Sequence, residues 1–203
     1  RAFMSVYVLL PVILFAFCIG LLLLLIVSGL RHTARGPFSL FLVFMALWGF
    51  FIFLMRFSDS LEDAYFWEKF VFVAIVSVAL FFYRFVLSVT NFKAQKVFLY
   101  TIYILYFCSV ILIPTGLVVE GMQMMWYGKA PIIGPLFLLY LFAVYVPIVR
   151  AMIILIKHYK QTRVLNEKVR DSYIILGIIF MLVGGTTDFL PSLGIRLYPL
   201  GII

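Results

Sequence analysis

The side chains able to bind or orient a ligand are few in this chain, and most sit at the ends of apolar runs. Arg56 closes one run, Glu68 and Lys69 open the next, and Asp188 closes the last complete one. Trp48, Trp67, Trp126, Tyr127 and Tyr198 add aromatic surface. A guanidinium, two carboxylates and indole rings brought together suit the orientation of a small ligand. In that reading Arg56 faces an anionic group or pairs with Glu68 or Asp188, and Trp48, about two helical turns deeper, forms part of the wall. The same residues also suit an aromatic belt with a surface charge network at a membrane interface, and the sequence leaves both readings open. Arg84 and Arg150 form a second set, each inside an apolar run near its other end. Their long stems let the guanidinium reach lipid headgroups; alternatively they bind an inner-leaflet lipid or hold a helix in register. Catalysis is not expected, because no phosphate-cradling Gly-rich loop, HExxH, paired Cys or nucleophile elbow is present. Cys18 and Cys108 lie inside apolar runs without metal-ligand spacing and read as small buried hydrophobes. His32 and His158 fall in basic connections and read as solvated loop residues. No metal or other cofactor is expected.

The elements that must position these groups are hydrophobic helices. Apolar residues make up 66% of the 203 and charged residues 12%, with 23 Phe; a soluble domain is about half apolar and a quarter charged. A helix crosses a hydrocarbon core of roughly 30 Å with about 20 residues. Six runs reach that length, near 6–30, 38–57, 66–90, 97–119, 132–156 and 173–190, and a seventh begins near Leu197. The runs are long and lack period-two polarity, so strands are disfavoured. The fold class expected is all-α, a polytopic membrane helix bundle with six complete spans and the start of a seventh. The first run exceeds a signal-peptide core and has no cleavage site, so it reads as a retained span. Pro114 and Pro147 are expected to kink their helices. Gly177, Gly184 and Gly185, and Ala16 with Gly20, are expected to allow close helix contact within the bundle.

Charge sorts the connections. The first, third and fifth carry nine Lys/Arg against Glu167 and Asp171. The second holds Asp59, Glu62, Asp63 and Glu68 against Lys69, the fourth Glu120 and Lys129, and the sixth follows Asp188 with Arg196. Basic short loops mark the cytoplasmic side. The N-terminus is therefore expected outside a plasma (inner) membrane, and a seventh helix would end in the cytoplasm. The net charge of +8 then faces anionic lipid headgroups, and no nucleic-acid partner is expected. A chain stopping seven residues into a span would leave carbonyls unsatisfied in lipid, and the opening "RAFM" lacks an initiator Met. The sequence thus reads as a piece of a longer protein.

The stretches "LWGFFIFLMRFS" (47–58) and "AYFWEKFVFVA" (64–74), and the passage "YKQTRVLNEKVRDSYIILGIIFMLVGGTTDFLPSLGIRLYPLGII" from 159 to the end, resemble the N-terminal seven-span sensor region of bacterial histidine kinases. The resemblance covers essentially the whole chain. It implies one sensor domain over 1–203, a cytoplasmic output module beyond residue 203, usually a dimeric kinase and sometimes a nucleotide cyclase, and any phosphoacceptor His beyond that residue. The expected function is sensing of a small-molecule or lipid signal and its passage through the last helix to a kinase, with a homodimer formed through the full-length protein. A diguanylate cyclase sensor, a small transporter or channel, and a passive anchor are the alternatives. A transporter would be expected to show internal repeats, and none is evident.

Overall fold

The computed structural model describes residues 4–28, 33–125 and 128–189. It contains six helices and one β-hairpin: α1 (Met4–Val27), α2 (Arg35–Phe57), α3 (Leu61–Val89), α4 (Lys96–Leu112), β1 (Val119–Met125), β2 (Gly128–Ile133), α5 (Phe137–Gln161) and α6 (Leu165–Phe189). All six helices are long and apolar enough to cross a membrane. The span of the all-α expectation holds, and the hairpin is an addition to it. The start of a seventh span, from Leu197, lies outside the described residues.

Helix ends follow local chemistry. Ser60 caps α3 by accepting the Asp63 amide at 3.0 Å, with Glu62 and Asp63 in the first turn, where carboxylates complement the helix dipole. At the other end Thr90 caps through its amide to Val86 O, Asn91 takes a left-handed φ of 50°, and the Phe92 amide returns to Leu87 O at 3.1 Å. That is a Schellman-type stop with Asn in the left-handed position. Pro114 does not kink α4 but ends it, because α4 stops at Leu112 and Pro114 lies in the 3-10 turn Ile113–Thr115. Pro147 does lie inside α5, buried. Hydroxyls inside the helices bond back to the carbonyl four residues earlier, as Ser39, Ser77, Ser88 and Ser109 do. In lipid such a bond satisfies a polar group that has no water.

Helix α3 is the hub, and most of its length is buried between α2, α5, α4 and the hairpin. Much of the phenylalanine content is spent on its contact with α2. Phe38 pairs with Phe85, Phe41 with Phe82, Phe44 with Phe81, and Phe51 with Trp67 and Phe70. The numbers rise along α2 as they fall along α3, so the helices run antiparallel. Ring pairs of this kind contribute about 0.5–1.5 kcal/mol each beyond their burial, which matters in lipid, where apolar burial alone does not drive helices together. On the other side Tyr140 of α5 donates to Phe72 O at 3.0 Å, and Ser77 meets Tyr106 of α4 at 3.2 Å. By contrast α1 and α6 turn Ile13, Phe17, Leu24, Tyr173, Phe180 and Val183 outward. On a soluble protein those faces would be a liability; in a bilayer they are the lipid contact.

The glycines divide differently from the sequence expectation. A Cβ built on Gly20, Gly177 or Gly185 meets nothing within 4 Å, so these positions make no close contact within the described residues. The close approach is at Gly49, where a Cβ would stand 2.8 Å from Pro11 O of α1.

Candidate functional site

The polar residues of the second and fourth connections converge at one end of the bundle. The hairpin supplies the link. Tyr65 of α3 donates to Val119 O at 2.9 Å, and Lys129 Nζ donates to Met55 O at 3.3 Å and also to Ser58 O. The last carbonyls of α2 have no intrahelical donor, so the Lys129 ammonium caps α2 from another element and complements the negative end of its dipole. Burial holds the Lys129 ammonium below the usual lysine pKa of 10.5, opposed by the nearby carboxylates of Asp59 and Asp63.

The folded state binds fewer protons at Lys129 than the unfolded state in the pH range just below 10.5, so stability rises as pH climbs through that range. Lys129→Met keeps the apolar stem and loses both bonds. It is expected to cost about 2 kcal/mol at neutral pH and to abolish the alkaline rise, both read from urea or SDS unfolding midpoints in detergent.

Beneath this clasp Trp48, Ile52 and Met55 of α2 pack with Ala64, Val71 and Ala74 of α3 and with Met122 of β1. Trp48 is 7% exposed and Glu68 5%. Glu68 lies on the same side of α3, one turn from Ala64 and from Val71. Trp48 is therefore interior packing rather than the wall of an open cleft, and the hairpin covers the cluster through Met122. Its indole Nε1 is buried and has no hydrogen-bond acceptor among the described residues, a state that costs about 1–3 kcal/mol for a buried donor. Arg56 sits one residue beyond Met55 in the last turn of α2, partly exposed, and neither Arg56 nor Glu68 stands without an interaction. Lys69 turns away, 4.2 Å from the centre of the Tyr65 ring. Thus Trp48, Arg56 and Glu68 share one end of the α2–α3 pair. Trp126 and Tyr198 lie outside the described residues, as does the side chain of Asp188 in the last turn of α6.

At the opposite end the third and fifth connections meet. Arg150 does not reach freely for headgroups. Its guanidinium lies 5.4 Å from the centre of the Phe98 ring, so it joins α5 to α4. Arg84 is partly exposed, and its extension toward headgroups stands untouched. The larger correction concerns the fifth connection. It is not a 15-residue loop: α5 runs to Gln161, α6 starts at Leu165, and only 162–164 link them. His158 is consequently a partly buried residue in the last turn of α5 rather than a loop residue. Its Nδ1 lies 2.5 Å from Oδ2 of Asp171, while Arg170 donates from Nε and Nη2 to Oδ1 of the same carboxylate at 3.1 and 2.9 Å. Asp171 is fully buried. An ionised carboxylate only accepts, so the imidazole donates from Nδ1 and leaves Nε2 as its other face. The available signal was helical spacing: from a start at Leu165, Glu167 and Asp171 stand four residues apart on one face, opposite His158 across a tight turn.

Six membrane-length helices, with acidic connections gathered at one end and basic ones at the other, make this a polytopic membrane domain. A family profile for the N-terminal 7TM region of histidine kinase matches residues 12–203, and the chain belongs to that family. No curated protein and no solved structure matches the chain.

Proposed function

We propose that this domain is the signal-sensing part of a sensor histidine kinase, and that the signal acts at the end of the bundle built from α2, α3 and the hairpin. The observation that carries the reading is the buried, unpaired indole N–H of Trp48 inside an otherwise apolar cluster. A small or lipophilic molecule offering one acceptor there would satisfy that donor. It would enter by displacing the hairpin, whose hold on α2 rests on Lys129. Binding then favours the arrangement with the hairpin lifted, through its differential affinity for the two states. Because α3 packs against both the cluster and α5, a shift of α3 reaches the other end of the bundle. From there the last helix would pass it to a cytoplasmic kinase dimer. The basic first, third and fifth connections support a cytoplasmic placement of that end, with the N-terminus outside and the domain in the plasma membrane.

The test is autophosphorylation of the full-length protein in native membranes. Trp48→Ala and Arg56→Ala are each expected to move basal output by at least about fivefold, the lower end of ordinary coupling between sites. Phe142→Ala, on an outward face of α5, should leave it unchanged. Wild-type output from both site variants would remove the sensing reading of this cluster.

A further inference from the structure

A cavity of about 220 Å³ opens where the Schellman turn after α3 meets the last two turns of α5, lined by Thr90, Asn91, Phe92, Lys93, Ile154, Lys157, His158 and Gln161. Its chemistry is one-sided. Two lysines, a histidine, a threonine and two carboxamide residues line it, with Phe92 and Ile154 as the apolar part. We infer that this cavity binds a phosphate-bearing anion, either the headgroup of an anionic lipid or a soluble phosphate compound.

The bland explanation is that Lys93, Lys157 and His158 merely neutralise the negative ends of α3 and α5. The caps argue against it. The end of α3 is closed by the Thr90 amide and hydroxyl on Val86 O and by the Phe92 amide on Leu87 O. The end of α5 is closed by the Thr162 amide on His158 O at 2.8 Å. Among the described residues no lysine takes part in these caps, and neither Lys93 nor Lys157 is in an ion pair. Both are exposed and line one cavity from different segments of the chain, so an anion between them offsets their like charge.

The nearby carboxylates do not fill that role. Asp171 is bonded on one oxygen by His158 and on the other by Arg170. Glu167 accepts the Thr162 hydroxyl at 2.5 Å and stands 3.9 Å from His158 Nε2. The Asp171 bond orients the ring of His158 at the cavity edge, in the manner of a carboxylate fixing a ligand imidazole. Clusters of cations between membrane helices on the cytoplasmic side are the usual recognition chemistry for such headgroups.

Isothermal titration of the full-length protein in dodecyl maltoside tests the assignment with three probes: short-chain phosphatidylglycerol, short-chain phosphatidylcholine and inorganic phosphate. Phosphatidylglycerol is expected to bind saturably and more tightly than the zwitterionic lipid. The Lys93→Gln/Lys157→Gln pair should weaken it about thirtyfold. Asn91→Gly keeps the left-handed turn, since glycine favours that conformation, and should weaken binding about fivefold by removing the carboxamide alone. Arg163→Gln, exposed in the α5–α6 connection and outside the cavity lining, should stay within about twofold, because exposed charges at a distance are screened. Inorganic phosphate binding with the same ranking of variants assigns a soluble source; binding of the lipid alone assigns a headgroup. The inference is overturned if neither phosphatidylglycerol nor inorganic phosphate binds saturably, if the two lipids bind equally, or if Arg163→Gln weakens binding as much as the double variant.

Discussion

Asp171→Ala is expected to cost about 3 kcal/mol and to loosen α6 from α5. Asp171 is fully buried at the helix junction, and both its oxygens are occupied, by His158 on α5 and by Arg170 on its own helix. Removing the carboxylate leaves a partly buried imidazole N–H without its acceptor and a guanidinium beside a cavity. The loss exceeds that of an exposed pair, which contributes about 0–1 kcal/mol, because the Asp171 carboxylate itself is fully buried and accepts from both helices. Asp171→Asn keeps the volume and one acceptor oxygen and should recover part of the loss. A double-mutant cycle with His158→Ala separates the contact from general damage. Coupling of at least about 1 kcal/mol is expected for groups in one network. Strict additivity of the two substitutions would show that the clasp contributes nothing to holding the helices together.

Gly134→Ala should be comparably severe, at about 3 kcal/mol. Gly134 lies where the hairpin turns into α5, with its amide on Val118 O at 2.9 Å and the Leu136 amide on Leu117 O at 2.9 Å. A Cβ there would sit 2.7 Å from Leu117 C and 2.9 Å from Gly116 O, and closer still to Leu117 O. These are backbone atoms, so no side chain can swing aside to relieve the clash. The strand ends must separate, and with them goes the hairpin that carries Lys129 to α2. Gly177→Ala is the matched control. It adds the same methyl in the middle of α6 where nothing lies within 4 Å, and alanine's helix propensity should make it neutral or stabilising by up to about 1 kcal/mol. The comparison is read from thermal unfolding in one detergent. Equal destabilisation by both substitutions would mean that the tight packing at Gly134 is not what limits stability.

The number of spans, the position of most of their ends and the sorting of charge between the two ends of the bundle were legible from residue order alone. These properties are local: about 20 consecutive apolar residues must cross the hydrocarbon layer wherever they are packed. The resemblance to histidine kinase sensor regions rested on the same apolar segments and the basic fifth connection.

What tertiary structure decided was which polar residue meets which. His158 and the fifth connection read as solvated loop because their basic composition matches one. Only the antiparallel return of α6 brings Asp171 beneath His158. The hairpin escaped notice since its strands are short and bury residues at irregular spacing; its stability comes from Tyr65 and Lys129 holding it to α3 and α2. Trp48 had the composition of a pocket wall, yet the Phe ladder between α2 and α3 draws it inside. Glycine spacing in α6 suggested close packing, whereas the close approach falls at Gly49 and Gly134. A glycine's type says only that contact is permitted, and whether a partner arrives is set by chain segments distant in sequence.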